Sequence, residues 1–302
     1  MESERKATSY GLLAILIWST AVALLRRVSE TFGAIGGAAL MYTLGAVMLA
    51  VLLGRPRLRG ISRFYLLAGT GMFVLFEVAF SLALGYAGTD QQAIQVGIVN
   101  YLWPSLTVLI AIVMNNQPAR WPVIPGTLMA LVGIAWVVSG DTLTGVGFLA
   151  AIEANALSFG LATLGAVSFA LYCNVTRKYA NGKNLVTLFF SVTALALWLD
   201  YAFSDERAIT LTFRGTLELV AASLSFALGY ALWNIGVLRG NLTLLSTVSY
   251  FGPVFSSLFA AFWLDVQLSV HFWQGTLLVT LGSLLCWGAT RQHPAARLAQ
   301  AD

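Results

Sequence analysis

Asn100-Tyr101-Leu102-Trp103-Pro104-Ser105 and Ser249-Tyr250-Phe251-Gly252-Pro253-Val254 each set a proline inside a long apolar run. Proline lacks a backbone donor and crowds the carbonyl a turn earlier, so an interruption is expected at Pro104 and at Pro253. In lipid such an interruption is tolerated only where protein or a water-filled cavity satisfies the freed backbone groups. Either break alone can be a packing kink. Two breaks at matching places in a repeat point to a transport site, because transporters hold substrate where paired interrupted helices meet.

The flanking sequence is that of an integral membrane protein. Of 302 residues, 58% are hydrophobic and only 10% charged, well below the quarter usual in soluble domains. The apolar runs are long and do not alternate, which favours helices over barrel strands. The expected fold class is all-α, with ten transmembrane spans near 10–26, 33–53, 63–87, 91–114, 121–139, 157–176, 185–203, 214–236, 241–263 and 272–290. Little chain remains for any other domain.

Charge sets the expected orientation. With both termini cytoplasmic, thirteen of the seventeen Lys and Arg fall on the cytoplasmic side, as the positive-inside rule requires. Arg55-Pro56-Arg57-Leu58-Arg59 reads as a topology anchor before it reads as a lipid headgroup site. Arg26 and Arg27 run against the rule: either the first span ends early at a polar vestibule, or the two side chains snorkel.

Sliding the chain on itself by 149 positions, the spacing of Tyr101 and Tyr250, aligns Gly11 with Gly160, Ser19 with Ser168 and Pro104 with Pro253. The same shift aligns Gly126 with Gly275 and Gly133 with Gly282. The chain therefore divides into two five-span repeats, 1–149 and 150–302, forming one membrane unit. Five is odd, so the second repeat is inverted, an arrangement of secondary transporters. The repeat also argues against reading the first span as a cleaved signal peptide, since its counterpart is internal. The linker near 140–156 should lie outside. Gly126, Gly133, Gly275 and Gly282 mark close helix packing, within a repeat or between subunits.

These features resemble the ten-helix members of the drug/metabolite transporter superfamily. The resemblance rests on Ile17-Trp18-Ser19-Thr20-Ala21, the mid-span Pro104 and Pro253, the Gly-x6-Gly pairs and Leu264-Asp265. Ser19 in place of Gly, and Asn116 in place of an acid, depart from the pattern. Within the superfamily, Tyr101-Leu102-Trp103-Pro104 looks most like the aromatic amino acid exporters of bacterial inner membranes. The resemblance implies export of amino acids, aromatic or other apolar ones, by alternating access. A drug or nucleotide-sugar carrier, or a pore-type channel, is the alternative. The expected partners are an amino acid and membrane lipid, with no nucleic acid and no cofactor.

Glu77 is the most informative single residue. An acid at the centre of a membrane helix costs about 3 kcal/mol, so it should face the bundle interior. It can attract a substrate ammonium, carry a proton, or hold its helix to a neighbour. Asn100 and Trp103, three apart, share a helix face, while Tyr101 points elsewhere. Trp18, Phe80, Tyr172, Asn174, Tyr230 and Tyr250 complete the expected aromatic and polar lining, with Asn234 weighed as a cap or interfacial residue. The glycosylation-like triplets at Asn174 and Asn241 fall on the wrong side of the membrane. Cys173 and Cys286 lie within spans, and His271 and His293 have no second ligand at metal spacing, so no metal site is expected. No phosphate-binding loop or nucleophile–base set appears, which argues against an enzyme.

Overall fold

The computed structural model describes residues 2–290 apart from 55, 57, 117, 140–144, 241–244 and 246–247, and leaves aside some side chains, Asn234 among them. His293, Asn241, the side chain of Asn234 and the 140–144 portion of the linker therefore lie outside the described residues. Every regular element among them is helical: α1 Glu2–Trp18, α2 Ala21–Phe32, α3 Ala34–Leu53, α4 Arg63–Gly85, α5 Asp90–Asn100, α6 Trp103–Met114, α7 Val123–Ser139, α8 Gly145–Ala154, α9 Ala156–Tyr179, α10 Val186–Phe203, α11 Phe213–Arg239, α12 Gly252–Leu264 and α13 Val270–Thr290.

Seven of these helices, with α5 and α6 taken as one, are long and apolar enough to cross a membrane, and the bent pair α1–α2 makes an eighth. α7 and α12 are apolar but shorter. The outward surface carries large apolar side chains such as Val51, Leu67, Val113 and Phe262, which suits contact with lipid rather than water. Polar residues sit at helix starts. Ser62, Thr89 and Thr212 accept the N–H groups of Tyr65, Gln92 and Gly215 at 3.1 Å each, satisfying donors that a helix start leaves open.

Both proline stretches interrupt their helices, but each proline stands at the start of the following helix rather than inside one. There its missing N–H costs nothing, which is why the helix restarts at that point. A further break was not expected. The first span does not run through 10–26: α1 stops at Trp18, and α2 leaves it at an angle of 42°. Hydroxyls supplement the backbone bonds at this break, where the N–H groups of Ser19 and Thr20 still reach the Ile15 and Ile17 carbonyls. Thr20 donates to the Ile17 carbonyl at 2.7 Å, Ser19 to the Ile15 carbonyl at 2.9 Å, and Ser225 of α11 to the Ile17 carbonyl at 2.9 Å.

α2 therefore reaches Phe32, and Arg26 is buried within it. The Arg26 Nε lies 3.0 Å from both Asp90 and Glu30, and Nη1 donates to the Ala87 carbonyl at 2.8 Å. Arg26 thus neither snorkels nor lines an open vestibule; it ties α2 to the end of α4 and the start of α5. Arg27 pairs with Glu30 at 2.7 Å.

The most extensive packing joins α7 to α13, α4 to α9, α1 to α11 and α3 to α10. Gly126, Gly133, Gly275 and Gly282 occupy the α7–α13 crossing. A Cβ on Gly133 would lie 2.7 Å from the Gly275 carbonyl oxygen, and one on Gly282 2.5 Å from that of Gly126. The glycines therefore let two backbones from different halves of the same chain touch.

Candidate functional site

The core centres on α4, whose inward face carries Phe73, Glu77 and Ser81 one turn apart. Glu77 is completely buried. Tyr42 of α3 donates to Glu77 Oε2 at 2.5 Å, and Tyr230 of α11 donates to Oε1 at 2.7 Å. Two phenols thus supply the hydrogen bonds that a buried carboxyl requires. Each oxygen is thus held by one phenol, Oε2 by Tyr42 and Oε1 by Tyr230.

Aromatic rings continue from this centre in an unbroken series. Trp18 meets Tyr230 edge-on at 5.0 Å, Tyr230 meets Phe73 at 5.6 Å, and Phe73 meets Tyr172 edge-on at 5.2 Å. Phe169 stacks on Tyr172 at 5.7 Å and receives Trp103 edge-on at 5.0 Å. Phe76 joins at 4.4 Å from Phe169 and brings Phe80, parallel to it at 6.0 Å. The series draws on α1, α11, α4, α9 and α6. Offset and edge-to-face pairs of this kind contribute about 0.5–1.5 kcal/mol each beyond their burial.

Asn100 and Trp103 do share a face, and it is turned to α9. A Cβ on Gly165 of α9 would lie 3.7 Å from Asn100 Oδ1. Asn100 is 7% exposed, and its buried Oδ1 has no hydrogen-bond partner. Its main-chain carbonyl is also the one that Pro104, four residues on, cannot serve with an N–H. Asn100 therefore offers a spare side-chain acceptor in the core.

Tyr101 points instead to the second break, where a Cβ on Gly252 would lie 3.0 Å from its ring. Tyr250 packs against Trp287 at 6.0 Å. Asn174 is engaged structurally. It donates to the Thr107 and Ala170 carbonyls at 3.0 and 2.9 Å and accepts from Asn115 at 2.6 Å, joining α9 to α6 and its C-terminal end. The structure thus gathers Trp18, Glu77, Phe80, Trp103, Tyr172 and Tyr230, and sets Tyr101, Asn174 and Tyr250 apart from that cluster.

Sequence reasoning passed over Tyr42, Phe73 and Phe169. A lone tyrosine or phenylalanine in an apolar helix carries no signal of its own; for Tyr42, the only clue was that a buried acid needs donors. Among the described residues no three His, Cys, Asp or Glu side chains come together as a metal site.

The EamA-like transporter family model matches the chain twice, over residues 5–139 and 156–288. The chain belongs to the EamA-like transporter family. EamA-like proteins are transporters, not enzymes. Two relatives bear the name aromatic amino acid exporter YddG. The one from Salmonella typhimurium is 46% identical over 96% of this chain and 100% of its own, and the one from Escherichia coli K12 is 47% identical over 96% and 99%. A protein crystal structure superposes with a TM-score of 0.66 at 22% identity, covering 95% of this EamA-like chain and 98% of its own, and so shares its fold.

Proposed function

We propose that this chain exports amino acids, aromatic or other apolar ones, across a bacterial inner membrane by alternating access between two inverted five-span halves. The observation that carries the reading is the aromatic series from Trp18 to Trp103, drawn from both halves and bordered by the spare Oδ1 of Asn100. A wall of such rings suits contact with an aromatic side chain, and Asn100 Oδ1 offers its ammonium an uncharged acceptor. Trp18, Phe80, Tyr172, Tyr230 and Trp103 form the wall, with Tyr101 and Tyr250 at the breaks, where Pro104 and Pro253 interrupt the helices. Asn174 holds the wall in register. Glu77, held by the two phenols beside this wall, has acceptor capacity left for a substrate ammonium or a proton.

The helix pairing supports inversion. With the ten expected spans numbered in order, the main packed pairs are the fifth with the tenth, the third with the sixth, the first with the eighth and the second with the seventh. Exchanging the halves, so that each span trades places with the one five away, leaves this set of pairs unchanged. The double family match supports the two-repeat division in the same way.

The test is uptake by liposomes containing the purified chain, using labelled phenylalanine, tyrosine, tryptophan and leucine. Saturable flux, competed by aromatic amino acids and not by nucleotide sugars or lipophilic cations, is expected. Cysteine labels near Trp103 should become reactive from one side at a time as substrate is varied. Simultaneous access from both sides would identify a pore and sink the proposal.

A further inference from the structure

Glu77 joins the two matched halves of the chain, because Tyr42 belongs to residues 5–139 and Tyr230 to residues 156–288. One turn beyond Glu77 on α4, Ser81 is also completely buried, and its Oγ makes no hydrogen bond of good geometry. That hydroxyl lies beside the Tyr42 phenol. An unpaired buried hydroxyl is costly and rare. Here the hydroxyl is within reach of the Tyr42 phenol and can accept from it once the phenol turns.

We infer that Glu77 is a proton-exchange site whose two protonation states are served by a reversible chain of hydroxyls, Tyr42 and Ser81. This deepens the export reading, since it names the ion that would be exchanged for the amino acid. As a carboxylate, Glu77 offers two acceptor oxygens, matched to the two phenol donors in the structure. A proton taken from water onto Oε2 along the Tyr42 direction makes that oxygen a donor there, and two donors then face each other. The conflict is resolved when Oε2–H donates to Tyr42 Oη and the Tyr42 hydroxyl swings to Ser81 Oγ. The Ser81 hydroxyl then donates to the carbonyl of residue 77, four positions back, as Ser223 does to Leu219 at 2.8 Å.

Every donor then has an acceptor in both states, and the proton is held on Glu77 with no bond broken elsewhere. The titratable groups around Glu77 are Tyr42 from α3, Tyr230 from α11 and Tyr172 from α9. Among the described residues no cation pairs with it. Neutralising Glu77 also turns its charge-assisted bond to Tyr230 into an ordinary one, about half as strong. Protonation thus loosens a link between the halves at the moment they must part.

The experiment is infrared difference spectroscopy of the purified full-length chain between acidic and alkaline pH, paired with flux into liposomes. A buried carboxylic acid band should titrate in the wild type and vanish in Glu77→Gln. Ser81→Ala removes an acceptor used only by the protonated form, so the midpoint should fall by about one pH unit. In a Tyr42→Phe background the chain is cut, and Ser81→Ala should no longer move the midpoint. In liposomes, Glu77→Gln should lose accumulation driven by a pH gradient, while exchange of labelled for unlabelled phenylalanine at equal pH persists. A band unchanged in Glu77→Gln, a gradient response retained in that variant, or a Ser81 shift that survives Tyr42→Phe would each overturn the inference. Should the wild type move no amino acid while the band still titrates, the export reading fails and the proton site stands.

Discussion

The ring of Tyr101, in the break between α5 and α6, rests on the bare backbone of Gly252 at the start of α12. A side chain begun at Gly252 would meet Tyr101 Cε1 at 3.0 Å and its hydroxyl oxygen at 3.2 Å. The two proline breaks, far apart in sequence, therefore meet, and the glycine of one makes room for the tyrosine of the other.

Gly252→Leu should force that ring aside. Phenylalanine flux is expected to fall at least about tenfold with the chain still inserted, and adding Tyr101→Ala should restore part of it. Contacting residues couple by about 0.5–3 kcal/mol. Losses that simply add in the double variant would show that the contact is not responsible.

Trp103 meets Phe169 edge-on, and truncating it removes one wall of the proposed site. Trp103→Ala should weaken phenylalanine affinity roughly three- to tenfold, the equivalent of one aromatic pair, with protein levels retained. Trp103→Phe should recover most of the loss. Unchanged kinetics in Trp103→Ala would remove this residue from the site.

Arg26 is 8% exposed and serves Asp90, Glu30 and the Leu84 and Ala87 carbonyls together. Breaking a buried pair by removing one member costs about 3–5 kcal/mol, and the Asp90 side chain, 23% exposed, places Arg26→Ala at the lower end. Thermal unfolding in detergent reads the loss. Arg26→Lys should regain little, because an ammonium lacks the planar fork that reaches carboxylate and carbonyls at once. Adding Asp90→Ala should cost less than the two single losses combined.

The glycines divide into two groups by their surroundings. Gly133→Ala and Gly282→Ala drive a methyl into backbone across the α7–α13 crossing and should abolish accumulation of folded protein. Gly71 and Gly288 would place a Cβ in open space, so alanine there should be neutral or stabilise by up to about 1 kcal/mol. Expression and unfolding of the four variants test the contrast.

Orientation is checked by tags. Reporters at either terminus and at Gly182 should read as cytoplasmic, and one in the 204–212 loop as external. A cytoplasmic signal from 204–212 would overturn the proposed ten-span topology.

Local chemistry was legible in the sequence; pairing across the fold was not. The apolar runs marked where helices form, and Pro104 and Pro253 marked two breaks, because each signal lies within its own segment. Glu77 stood out because a charge in an apolar helix is costly wherever it points. Its partners Tyr42 and Tyr230 are 35 and 153 residues away, and nothing in the intervening sequence encodes that distance. Arg26 stood out as an exception to the charge rule, but its partner Asp90 is 64 positions away, and only the fold makes them one pair. The bend after Trp18 escaped notice because Ser19 and Thr20 carry none of proline's certainty; serine and threonine often sit within straight membrane helices.

That bend has a mechanical consequence. In the proposed repeat, the position matching Ser19 is Ser168, which lies within the uninterrupted α9, so the two places would differ in stiffness. One acts as a strut and the other as a joint, with Ser225 of α11 as its pin, held to Thr20 Oγ1 at 2.9 Å. A proline bend is permanent, whereas this one is held by hydroxyls that can turn. α11 also carries Tyr230, slightly more than one turn beyond Ser225, so straightening the joint would pull on the helix that grips Glu77.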